Sequence, residues 1–191
     1  MAKEARQFEQ DLIANAQDQT GKSVDEWMMV LGKTGLSKTN DLIKWIKTEH
    51  KLNHMQAAML TGIFLNDGKP VHDYDVLFGK LFAGKEAQQP LYDKVKALID
   101  SNLPDDVLFI PTKTYVSIEA GRVFGCMKIN KGNIRVGMAL GETPFDDTLV
   151  PAKGLGAMPN IGHMIELKSE EAVTESIVQH MQRSYDMAHQ K

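Results

Sequence analysis

The sequence predicts an α+β protein: a small N-terminal helical bundle followed by an antiparallel sheet of four to five strands with flanking helices. Three observations carry that expectation. Up to Pro104 the apolar residues recur three and four apart, the helical spacing; beyond it they alternate, the strand spacing. The turn-rich NDGKP at 66–70 closes off a first helical set. Short glycine joints, Ala120-Gly121 and Lys131-Gly132, then separate the alternating segments, which suits hairpins. The expected division is a helical bundle over 1–66, a linking segment with a short helix over 67–89, and an α+β antiparallel-sheet domain over 90–191.

Phe8, Leu12 and Ile13 sit at helical spacing and precede a polar stretch, NAQDQTGK. Ser23 with Glu26 three residues on forms a capping box, opening a helix through Trp27, Met28, Val30 and Leu31. Gly32 and Gly35 close it. Ser37 or Thr39 is expected to cap the next helix, whose stripe is Leu42, Ile43, Trp45 and Ile46. Asn53 caps a third, carrying Met55, Ala58, Met59 and Phe64. A short helix capped by Asp73 or Asp75 is stopped at Gly84, and Pro90 opens a stronger one through Leu91, Val95, Leu98 and Ile99.

Val107, Phe109 and Ile110 suit a first strand. In 114–118, Val116 and Ile118 alternate with Tyr115 and Ser117. In 122–129, Val123, Met127 and Ile129 alternate with Arg122, Phe124, Cys126 and Lys128. In 133–140, Ile134, Val136, Met138 and Leu140 alternate with Asn133, Arg135, Gly137 and Ala139. Residues 141–162 read as a long, mobile loop rich in glycine and proline. A last strand, HMIELK, leads through a Ser169 cap into a helix with the stripe Val173, Ile177, Val178, Met181 and Tyr185.

Net charge is −3, and its distribution matters more than its total. Residues 1–85 hold 11 basic and 11 acidic side chains, residues 86–191 hold 11 and 14, so neither half is a basic domain. Between 113 and 135, however, Lys113, Arg122, Lys128, Lys131 and Arg135 face only Glu119. The longest uncharged apolar run, Met55 to Asn66, is too short to span a bilayer. The opening MAKEARQFEQDL mixes both charges without an apolar run, so no secretory signal is expected. With Cys126 alone there is no disulfide framework, and a cytoplasmic protein is the expectation.

Two stretches carry a family resemblance. TGKSVDEW, the KTGL turn, the IKWIKTEH run and the later LNH, within 20–60, resemble the bacterial domain of unknown function numbered 4287. LFAGKEAQQPLYDKV, the KTYVSI strand, the basic strand after it and the GHMIELKSEEAV join, within about 77–188, resemble the domain of unknown function numbered 5655. The resemblance implies this two-domain order and no reaction.

The candidate chemistry is sparse. His50 and His54 lie four apart, but Lys51 stands where a zinc hydrolase has its glutamate, so no metal is expected. His72-Asp73-Tyr74-Asp75 and Asp146-Asp147 offer carboxylates, which serve more often as caps. Cys126 has no activating base beside it. GLGAMPNIG lacks the ending of a phosphate loop and runs into a strand, so no cofactor is expected. The helices near 39–50 and 53–64 have helix-turn-helix spacing, yet the second, NHMQAAMLTGIF, brings no lysine or arginine to a phosphate.

What remains is a basic, aromatic sheet face. Lys113, Tyr115, Arg122, Phe124, Lys128 and Arg135, with His163 nearby, are the candidate ligand-binding residues. Cations for a backbone and aromatics for stacking suit single-stranded nucleic acid or another anionic ligand. A protein partner or a second copy of the chain is the other candidate occupant, and no membrane is expected. The leading expectation is thus a non-enzymatic binding or interaction protein. The alternative is a hydrolase-like enzyme with its site between that face and the 141–162 loop. An enzyme would bury its loop acids and His163 around a concave pocket; a binding face would be open and flat.

Overall fold

The computed structural model describes residues 5–156 and 160–190, so the first residues and the centre of GLGAMPNIG lie outside the described residues. The chain divides into two units, Met1–Asp73 and Tyr74–Lys191. The first holds α1 (Ala5–Ala14), α2 (Ala16–Thr20), α3 (Val24–Gly32), α4 (Thr39–His50) and α5 (His54–Leu65). The capping box at α3 is present: Ser23 Oγ accepts from the Glu26 N–H at 3.2 Å, and Glu26 Oε2 accepts from the Ser23 N–H at 2.7 Å. Asn53 and Gln56 build a second box at α5. Neither Ser37 nor Thr39 caps α4; Lys38 stands at its N-cap with no side-chain bond. The polar NAQDQTGK is not all loop, because Ala16–Thr20 forms α2 before Gly21 turns the chain with φ 76°.

Helix α5 is the centre of this unit. Ala57, Met59, Leu60, Thr61 and Ile63 are buried, and Leu12, Trp27, Leu31, Leu42 and Ile46 complete the core with them. Its exposed residues, His54, Met55 and Leu65, include no lysine or arginine. Trp27 is fully buried and donates its indole N–H to Thr20 Oγ1 at 2.6 Å, so its one polar atom is satisfied.

The second unit holds α6 (Tyr74–Phe82), α7 (Gln89–Asp100), six strands and α8 (Glu175–His189). The strands are β1 (Leu108–Pro111), β2 (Val116–Glu119), β3 (Val123–Ile129), β4 (Ile134–Met138), β5 (Val150–Pro151) and β6 (His163–Leu167). They form one antiparallel sheet in the order β1-β2-β3-β4-β6-β5. One face packs its Val, Ile and Met side chains against α7 and α8 through Val95, Ile99, Ile177 and Met181. The approach of α8 is close: a Cβ on Gly125 would lie 2.8 Å from Met181 Cε. Residues in the LFAGKEAQQP stretch fasten the helices to this sheet. Glu86 accepts from the Gly84 N–H, Lys85 Nζ donates to the carbonyls of Leu81 and Ile129, and Gln88 donates to that of Lys131. No helix among the described residues is long and apolar enough to cross a membrane.

Three local expectations are corrected. Phe124 lies in the core with α8, not on the polar face, because a bulge interrupts the alternation. Ile118 pairs with Gly125 and Glu119 with Val123, leaving Phe124 as the extra residue; Phe124 turns inward and Val123 is exposed instead. The 141–162 segment is no bare loop: it contains β5, and its Leu149, Leu155 and Ile161 are buried. Finally, Ser169 precedes only a 3-10 turn, Glu170–Ala172, and α8 begins after Thr174.

Candidate ligand-binding site

The polar sheet face is partly roofed. Leu155 and Ile161 pack on Cys126 and Met164, with Tyr115, Ala139, Val150 and Ala152 around them. The contact requires a glycine beneath it, since a Cβ on Gly137 would lie 2.5 Å from Leu155 Cδ1 and 2.7 Å from Ile161 Cγ2. Cys126 is sealed in this small cluster, and burial pushes its thiol up to about 11, so it stays protonated and unreactive.

The seven candidate residues do not come together. Lys128, Arg135 and Glu166 are cross-strand neighbours in one row. Arg135 Nε donates to Glu166 Oε2 at 3.1 Å and its Nη1 donates to the Lys153 carbonyl at 3.1 Å, tying the roofing segment down. Gly154 beside it has φ 66°, the left-handed region that favours glycine, and lies close under Arg135 Nη1. Tyr115 lies under Gly156. Lys113 is exposed in the β1–β2 turn that Thr112 Oγ1 organises by bonding the backbone of Tyr115. Phe124 packs edge-on to Tyr185 on the opposite face, 5.4 Å between centroids. Arg122 caps the end of α8, donating from Nη1 to the Ala188 carbonyl at 3.0 Å.

His163 is 2% exposed at the start of β6. Its Nε2 lies 2.8 Å from the Thr143 carbonyl, an acceptor, so Nε2 carries the proton. Phe145 lies against its ring at 4.6 Å, and Nδ1 is buried with no hydrogen-bond partner in the structure. The loop acids do not join it. Asp146 and Asp147 are exposed, and Asp146 Oδ1 accepts from the backbone of Leu149 and Thr148 and from the Thr148 hydroxyl. Those bonds hold its carboxyl below the usual range, as expected of a turn-forming aspartate.

A concave feature of this unit lies at the sheet end where β3 starts, β4 ends and α8 finishes. Arg122, Gly141, Asn160, Gly162, Met187 and Ala188 line a cavity of about 760 Å³. Gly141, with φ 56°, admits Met187, whose Cε lies 2.7 Å from where a Cβ would stand. Gly162 differs: a Cβ there would have no atom within 4 Å, so a side chain at this position would extend into open space. The last residue of α8, His189, sits beside this rim with its two ring nitrogens 2.7 Å from the carbonyls of Tyr185 and Ala120. Alternation singles out Arg122 as a candidate but does not bring it together with Gly141, Asn160, Gly162 and Met187. One further general signal was available, a histidine in the last turn of a helix, where the dipole favours a cation.

The remaining candidates have local roles. His50 is wedged between Trp27 and Trp45, 4.8 and 5.0 Å between ring centroids. His54 opens the next helix. Among the described residues no group of three or more His, Cys, Asp or Glu side chains could hold a metal ion. One buried ionisable residue escaped sequence reading: Glu9, 1% exposed, accepts from the N–H groups of Val71 and His72 at 2.8 Å each. Its place three before Leu12 and seven before Ala16, on the buried side of the helical spacing, was the available signal.

Residues 78–188 match the family model described as Domain of unknown function (DUF5655). Residues 9–65 match that described as Domain of unknown function (DUF4287). No curated protein and no solved structure matches the chain.

Proposed function

We propose, from the premise that the chain belongs to the DUF5655 family across more than half its length, that it is a non-enzymatic binding protein. Its second unit takes a small ligand bearing a carboxylate or phosphate. The observation that carries this reading is the cavity of about 760 Å³ with the Arg122 guanidinium on its wall. That volume is in the range of small-molecule sites, which are apolar with a few placed polar groups. Met187 and Ala188 supply apolar surface, the Asn160 amide supplies a donor and an acceptor, and Arg122 has further N–H donors beyond the one on Ala188. Binding is favoured over catalysis because Asp146 is engaged by its own turn and burial keeps Cys126 a thiol. The proposed setting is the bacterial cytoplasm, on the family resemblance and on a single cysteine, which allows no internal disulfide.

The test is a thermal-shift and calorimetric screen of small carboxylates and phosphates on the full chain. A ligand present at roughly 100 times its Kd stabilises by about 2.7 kcal/mol, which raises Tm by about 5–10 °C. The shift is expected to fall in Gly162→Val, whose Cβ would meet no atom within 4 Å and whose side chain takes up part of the cavity, and to fall in Arg122→Gln. A screen in which no compound acts would overturn the reading. Single-stranded DNA bound at roughly 50 mM salt, insensitive to Gly162→Val and lost in Lys128→Ala, would return the site to the sheet face.

A further inference from the structure

We infer that His189, as an imidazolium, latches the last turn of α8 onto the β2–β3 turn, and that its deprotonation loosens the cavity wall formed by Met187 and Ala188. The argument is one of donors and acceptors. Nδ1 faces the Tyr185 carbonyl and Nε2 faces the Ala120 carbonyl, each at 2.7 Å. Carbonyl oxygens only accept, and an imidazole carries N–H on both nitrogens only when it is protonated. Neutral His189 must therefore turn a lone pair towards one of the two oxygens and lose that contact. The contact to Tyr185 lies within α8, whereas the contact to Ala120 ties the helix end to the sheet.

The surroundings favour the cation. The unsatisfied carbonyls of a helix end attract positive charge, and the ring stacks on Tyr185 at 4.2 Å between centroids. Hydrogen bonds to the backbone of Ala120 and Tyr185 raise the affinity of the ring for its proton; Asp106 adds to this, while burial and Arg122 oppose it. Asp106 also raises the Tyr185 phenol, and Asp186 is the acid three residues before His189 on α8 itself. The folded protein thus holds this proton more tightly than the unfolded chain. Both contacts are held below the ordinary histidine range, and one of the two is given up as pH rises through the higher folded value. Arg122, bonded to Ala188, keeps its charge throughout and holds the wall alone at high pH. Any effect on ligand affinity rests on the cavity being the binding site; the motion of the wall does not.

Hydrogen exchange of the ligand-free full chain tests the latch separately from that reading. Protection of the amides of Met187, Ala188 and His189, corrected for the intrinsic pH dependence of exchange, is compared at pH 6 and pH 8.5 with that of Met181 in the same helix. The wild type is expected to lose several-fold in the last turn, and not at Met181, at the higher pH. His189→Gln, whose amide offers two N–H donors at any pH, is expected to show equal protection at both. His189→Ala is expected to be unprotected at both. A wild type that is equally protected at the two pH values, or a Gln variant that changes as the wild type does, would overturn the inference.

Discussion

The first unit ties a distant stretch of its chain down with a carboxylate; the second does so with an imidazolium. In the first, Glu9 on α1 accepts the backbone N–H groups of Val71 and His72, and His72 Nδ1 lies 3.4 Å from its Oε2. In the second, His189 on α8 donates to carbonyls of its own helix and of the β2–β3 turn. The difference lies in burial and in sign. Glu9 is enclosed, while His189 is at the surface, where solvent weakens what a charge contributes. Acid undoes the first clasp and base the second. Each unit therefore has its own pH limit, and the chain is most tightly fastened between them.

The two units can be watched separately. Both tryptophans, Trp27 and Trp45, belong to the first, and all four tyrosines, Tyr74, Tyr92, Tyr115 and Tyr185, to the second. Tryptophan emission thus reports on the first unit and tyrosine absorbance on the second.

The largest expected effect is in the second unit. Phe124→Ala removes a fully buried ring packed on Tyr185 and should cost about 3–5 kcal/mol. The tyrosine transition should move to lower denaturant while the tryptophan transition stays in place. Were Phe124 a stacking residue on the polar face, the change would be small, so an unmoved tyrosine transition would refute the bulge.

Glu9→Gln should act on the other unit alone. The amide can accept one of the two N–H groups but turns its own donors towards the other, so about 2–4 kcal/mol is expected. The acid dependence carries the sign. Burial pushes the Glu9 carboxyl up, but the His72 side chain and the two backbone donors outweigh it and hold the carboxyl below its ordinary value. Its contribution is therefore present above the ordinary carboxylate range and lost as pH falls through the folded value. Wild-type tryptophan midpoints should drop on acidification more steeply than those of Glu9→Gln. Parallel slopes would mean that the carboxylate is not the acid-sensitive clasp.

These residues also show where sequence reasoning holds and where it stops. The helices and the sheet were readable because burial of a stripe or a face repeats over many residues, as at Leu42–Ile46 and Ile134–Met138. The Ser23–Glu26 capping box and the Asn53 cap were equally local. Phe124 was misplaced because alternation assumes an unbroken ladder, and one extra residue reverses the side on which a side chain falls. The basic face came apart for a related reason. Charge along the chain records neither that Glu166 neutralises Arg135 nor that Leu155 and Ile161 cover the row beside it. The cavity joins residues 122, 141, 160, 162 and 187, a grouping that no spacing rule brings together. The LFAGKEAQQP stretch that carries part of the family resemblance proves to be architectural, since Gly84, Lys85, Glu86 and Gln88 bond backbone.

A smaller effect should stabilise the first unit. Lys51 ends α4 in the left-handed region with φ 55°, a conformation that strains side chains other than glycine. Lys51→Gly relieves that strain, set against the greater freedom of glycine in the unfolded chain, and should add about 1 kcal/mol to the tryptophan transition alone. A loss of stability would show that the lysine side chain is held by a contact worth more than the strain.

The smallest effects concern a buried hydroxyl in each unit. Tyr92 is 3% exposed between Phe78 and Phe82, and its hydroxyl has no hydrogen-bond partner in the structure; Thr61, fully buried in α5, is in the same position. Burial, then Asp93 and Asp100, push the Tyr92 phenol above its ordinary range, so it stays neutral at every pH at which the protein is folded. A buried hydroxyl that has lost water without gaining a partner is a net cost, and removing it from an otherwise unchanged shape should be neutral or favourable. Tyr92→Phe keeps the ring and should raise the second unit's stability by up to about 1 kcal/mol. Thr61→Val keeps the β-branched shape and should do the same for the first. The two changes lie in different units and are expected to add when combined. A loss greater than about 1 kcal/mol in either would mean that the hydroxyl is hydrogen-bonded in solution, in the manner of a buried water bridge. If only one variant lost stability, the two units would differ in how dry their cores are.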